Sequence, residues 1–76
     1  MILLLVEKGQ IYKHFKGNLY EIIAIAYDSE NLKKLVVYKS LKDDKVWVRD
    51  YQMFTSLVDK KKYPNAEQVN RFELVK

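Results

Sequence analysis

Residues 35–49 read Leu-Val-Val-Tyr-Lys-Ser-Leu-Lys-Asp-Asp-Lys-Val-Trp-Val-Arg. β-Branched and aromatic residues crowd both sides of the polar stretch Lys42, Asp43 and Asp44, which is the signature of two strands joined by a short reversal. The expected strands are 35–41 and 45–49. A three-residue reversal would set Leu41 opposite Lys45, Lys39 opposite Trp47 and Val37 opposite Arg49. Alternation then puts Val36, Tyr38, Val46 and Val48 on one face and Lys39, Lys45, Trp47 and Arg49 on the other. A slip of one residue exchanges the faces.

Working outward, residues 10–15 form a strand that turns at Lys16, Gly17 and Asn18, the glycine supplying the positive φ of a tight reversal. Residues 19–27 are apolar on both alternating faces, as in a central strand that is covered on each side or bent. Residues 28–34 break the pattern, because Asp28, Ser29 and Asn31 can bond their own backbone. Beyond the central hairpin, Asp50 is placed to cap a helical turn through Tyr51 to Phe54, which could extend to Val58. Residues 59–62 are a charge run, and Tyr63-Pro64-Asn65 a turn. Asn65 and Gln68 imitate a capping box, predicting one helical turn over 66–69. Residues 71–75 make a last strand.

These short strands predict a single mainly β domain over residues 1–76: a small antiparallel SH3-like barrel, or a curled sheet with one or two short helical turns. The 76 residues leave no room for a two-domain enzyme. The chain has no cysteine and one histidine, which excludes a disulfide framework and a zinc staple, so no metal and no cofactor are expected. Cysteine usage points to the cytoplasm. The apolar run at residues 1–6 is too short to span a membrane and reads as a strand or a contact between copies. Fourteen basic against ten acidic residues give +4, a mild attraction for polyanions.

Tyr12-Lys13-His14-Phe15-Lys16-Gly17, Ser29-Glu30, Val36-Val37-Tyr38, Trp47-Val48-Arg49, Met53-Phe54 and Arg71-Phe72 occur in that order. In these motifs the chain resembles a small bacterial and phage domain family of unknown function, with the pattern Y-x-H-F-K-G, S-E, V-V-Y, W-V-R-P, M-F and R-F. The resemblance implies an intracellular β module and supplies no activity. The chain departs from it at Tyr27-Asp28, where the family has a basic residue and histidine, and at Asp50, where the family has proline.

Candidate binding residues are Trp47, Arg49, Lys39, Tyr12, His14 and Arg71. An indole flanked by cations can stack on a planar group while the cations hold phosphate or carboxylate; alternatively, Trp47 packs under a rim with Lys39 across it. His14 titrates near neutrality, yet the chain offers no recognisable nucleophile motif. Arg71 could pair with Glu30, and Arg49 with Glu21 or Asp50, as plain salt bridges. Lys60, Lys61 and Lys62 read as a solvated loop. The expected function is a non-enzymatic module that binds an anionic or planar partner, peptide or nucleic acid. The alternatives are a small enzyme centred on His14 with Glu30 or Arg71 assisting, and an oligomerising domain that pairs through residues 1–6.

Overall fold

The central hairpin closes on Ser40 and Lys45, with the Ser40 amide donating to the Lys45 carbonyl at 2.9 Å. The structure is a computed structural model and describes residues 5–76. Its strands are β1 (Ile11–His14), β2 (Leu19–Tyr27), β3 (Lys34–Ser40), β4 (Val46–Asp50) and β5 (Phe72–Leu74), with one short helix, α1 (Tyr51–Phe54). They form one antiparallel five-stranded sheet in the order β4-β3-β2-β1-β5. The mainly β expectation holds, in its curled-sheet form.

The curl begins at a bulge in β2. Register shifts between Ile22 and Ala24, so Ile22 stands opposite Tyr38 while Ile25 stands opposite Val36. The extra residue resets the parity of the strand and bends it. Tyr20, Ile22 and Ile25 thereby share the concave face, and the run looks apolar on both alternations for this reason. That face carries the buried cluster of Val6, Tyr12, Ile22, Val36, Tyr38, Phe54 and Phe72, with Tyr20, Ile25 and Tyr51 packed against it. Curling brings the two ends of the sheet together. Phe72 of β5 stacks on Phe54 of α1 with ring centroids 3.9 Å apart and planes 7° from parallel.

The turns follow local chemistry. Gly17 has φ +107° in the first reversal, and the Asp28 and Asn31 carboxylate and amide oxygens accept from the amides of Glu30 and Lys33. Asp50 caps α1 as the sequence suggests, its Oδ1 accepting from the Gln52 amide at 2.9 Å and the Met53 amide at 3.4 Å. The helix stops at Phe54, because the Thr55 and Ser56 hydroxyls turn back onto carbonyls of α1.

Two expectations are corrected. No helical turn occupies residues 66–69; Lys60 Nζ bonds the Ala66 and Gln68 carbonyls, holding that segment open, while residues 56–58 run antiparallel to 69–71. The reversal of the central hairpin takes four residues, 41–44, with Asp44 at φ +61°. It therefore pairs Tyr38 with Trp47, Val36 with Arg49 and Lys39 with Val46. The faces are exchanged: Trp47 and Arg49 join Val36 and Tyr38 on the concave side, and Lys39 lies with Val46 and Val48 on the convex one. The contact between copies expected for residues 1–6 falls largely outside the described residues. Val6 itself is buried, and its amide donates to the Tyr51 hydroxyl at 3.0 Å.

Candidate functional site

The exchanged parity gathers six side chains at one hollow of about 180 Å³: His14, Tyr20, Tyr38, Trp47, Arg49 and Phe72. β4 supplies Trp47 and Arg49, and β3 supplies Tyr38 directly opposite Trp47. β1 and β5 supply His14 and Phe72, which are themselves partners across the ladder. The floor is aromatic. Tyr20 and Phe72 each meet Tyr38 edge to face, at 5.2 and 5.6 Å between centroids, and His14 meets Phe72 at 4.9 Å. Trp47 forms the open rim at 48% exposure.

Arg49 lies across this floor. Its Nε donates to the Tyr38 hydroxyl at 3.3 Å, and its guanidinium carbon is 6.0 Å from the centre of the Phe72 ring. Both partners are neutral. No carboxylate pairs with Arg49 among the described residues, since Asp50 is spent on the helix cap and Glu21 stands opposite Lys39 on the convex face. The terminal guanidinium nitrogens have no hydrogen-bond acceptor among the described residues.

His14 is held as a neutral ring. Burial lowers its pKa from the usual 6.5 to about 4, and the charges of Arg49, Lys16 and Arg71 push the same way. Its Nδ1 accepts from the Lys16 amide at 3.1 Å, so the proton of the neutral ring sits on Nε2. The imidazole is therefore a hydrogen-bond donor without net charge.

The remaining candidates lie elsewhere. Tyr12 is fully buried; its hydroxyl donates to Gln10 Oε1 at 3.0 Å and its ring packs on Phe54, so it supports the hollow from within the core. Burial pushes that phenol up to about 12. Lys39 is on the opposite face. Arg71 reaches Ser56, with Nε 3.1 Å from Oγ, and influences His14 only through its charge; neither it nor Arg49 forms the expected salt bridge. Tyr20, Tyr38 and Phe72 were not among the sequence candidates. Tyr38 and Trp47 become neighbours as soon as the reversal has an even number of residues, and that was the available signal.

A larger hollow of about 530 Å³ lies between the 16–18 turn and residues 65–68, lined by cations and acids together, including Lys13, Lys16, Glu67 and Glu73. Its mixed charge selects no ligand class. Among the described residues no group of His, Asp and Glu could hold a metal, and no helix is long and apolar enough to cross a membrane.

The sequence matches the DUF1653 family, described as a protein of unknown function, over residues 10–74. The chain belongs to that family. In this DUF1653 domain, the matched span includes every residue of the hollow and all five strands. No curated protein and no solved structure shows significant similarity to the chain.

Proposed function

We propose that this DUF1653 domain is a non-enzymatic binding module, and that its concave hollow captures a single anionic or planar anchor group of a larger partner. The observation that carries the reading is Arg49: a guanidinium laid on an aromatic floor beside a half-exposed indole, with no carboxylate to neutralise it. Such a pair grips a flat or negatively charged group from two directions, by stacking and by charge-assisted hydrogen bonds. The hollow is smaller than the roughly 300 Å³ at which pockets begin to enclose whole small molecules, so it fits an anchor rather than a complete free ligand. Binding is favoured over catalysis because His14 has a backbone amide as its ring partner and cations as its charged neighbours, with no acid to orient or recharge it.

Trp47 is the sole tryptophan, so its emission reports the hollow directly. Titration with a panel of acidic peptides and single-stranded oligonucleotides at low salt should give a saturable emission change with at least one of them. Arg49→Gln should weaken that binding by about tenfold or more, the loss expected for removing a charged hydrogen-bonding partner. A flat response to the whole panel at millimolar concentrations overturns the proposal.

A further inference from the structure

The border of the hollow is a free sheet edge. β4 is the outermost strand, and in its ladder with β3 the bonded pairs alternate from Ser40/Lys45 through Tyr38/Trp47 to Val36/Arg49. The backbone N–H and C=O groups of Val46 and Val48 therefore point away from β3, and among the described residues no hydrogen bond engages them. Their side chains stand on the convex face at 61% and 59% exposure. Such an edge, apolar at Val46 and Val48 and carrying no lysine or proline within β4, is a template for another strand.

Resting on the binding reading above, we infer that the partner is an extended peptide that adds to the sheet along β4, with an acidic residue placed opposite Trp47 between two apolar residues placed opposite Val46 and Val48. The geometry dictates that pattern. Peptide residues opposite Val46 and Val48 exchange backbone hydrogen bonds with them and put their own side chains on the convex, apolar side. The residue between them faces the concave side, directly across from Trp47 and diagonal to Arg49, a span within reach of a long side chain. Its carboxylate meets the unneutralised guanidinium.

Nucleic acid fits less well. A phosphodiester backbone has no donors and acceptors spaced to satisfy the valine edge, and a strand of nucleotides needs a track of cations. The hollow supplies one guanidinium, while Lys39 is on the far face and Lys60 is engaged by the Ala66 and Gln68 carbonyls.

The probe is the peptide acetyl-Val-Glu-Val-Glu-Val-amide, followed by Trp47 emission and by amide hydrogen exchange of the full chain. Saturation should shift Trp47 and slow exchange at Val46 and Val48 by about tenfold or more, because both amides become bonded. N-Methylation of the peptide on its β4-facing amides should abolish binding with the side chains unchanged. Val48→Pro should do the same, since that position tolerates proline at an edge whose N–H is unused by β3; if this variant loses its fold, the methylated peptide still decides. Peptide binding without protection of Val46 and Val48 overturns the strand-addition proposal and leaves the binding reading standing. A decathymidylate that shifts Trp47 where the peptide does not has the same effect, as does self-association that protects Val46 and Val48 in the free protein. No response to either probe overturns strand addition, and the full panel then decides the binding reading.

Discussion

Tyr38 and Trp47 stand directly opposite each other on β3 and β4. The pairing places the indole over the same concave surface that the Tyr38 ring helps to build, and it carries Arg49 to that surface two residues on. Had the reversal one residue fewer, the indole and guanidinium would lie outside on the convex face, and the floor beneath them would have no cation.

Phe72 carries the far wall of the hollow and the packing of α1 together, being stacked on Phe54 and nearly fully buried. Phe72→Ala should cost about 3–5 kcal/mol, the range for emptying a buried aromatic site. Urea unfolding followed by circular dichroism measures it, and a loss below about 1 kcal/mol would mean that the stack is not a support of the fold.

His14 should titrate near pH 4 in the folded protein, against about 6.5 when unfolded. Between those values the unfolded chain binds a proton that the folded one does not, so stability rises with pH across this window and falls as pH drops from 6.5 towards 4. His14→Gln should flatten that part of the profile. NMR titration of the ring carbons gives the midpoint, and a value near 6.5 would contradict the buried, cation-flanked setting. The ring nitrogen shifts should report Nε2–H as the neutral tautomer.

Asp50 holds α1 by its side chain while its backbone, at φ −53°, already has a proline-compatible angle. Asp50→Ala should destabilise the fold by about 1 kcal/mol through loss of the cap. Asp50→Pro should be milder, because restricting the unfolded chain offsets part of that loss. This accounts for the proline that the resemblance leads one to expect at the position. Paired thermal melts rank the two variants, and proline below alanine would refute the argument.

Leu32 is 76% exposed and sits at φ +61°, where asparagine, whose short polar side chain can bond the local backbone, is better suited than leucine. Leu32→Asn should raise stability by roughly 0.5–1 kcal/mol, since relief of backbone strain comes with little lost packing. A lower melting temperature would show that Leu32 covers apolar surface despite its exposure.

Strand positions were legible because density of β-branched and aromatic residues marks them: the reading of 19–27 coincides with β2, and Asp50 announces α1. What the sequence could not fix was parity. Two acids and a lysine between Leu41 and Lys45 allow a three- or four-residue reversal, and only the left-handed conformation of Asp44 selects the longer one. Strand alternation therefore draws attention to Trp47, Arg49 and His14, which the fold brings to one hollow, but it groups Lys39 with Trp47 and Arg49, whereas the observed register puts Lys39 on the opposite face. Tyr12 lies away from the hollow for a related reason. It shares a face with His14, but its position nearer the middle of the sheet buries it under Phe54, and strand alternation carries no information about depth.

The shift between Ile22 and Ala24 makes the domain unevenly tolerant of changes in chain length. An added residue in the 28–33 loop only lengthens a solvent-facing reversal, and one deleted at Ile23 removes the unpaired bulge residue and still leaves Tyr20, Ile22 and Ile25 on one face, whereas one deleted at Glu21 would set Tyr20 and Ile22 on opposite faces. Relatives that vary in length should therefore do so at that loop, near residues 59–68 or at the bulge itself, and keep the spacing from Tyr20 to Ile22 intact.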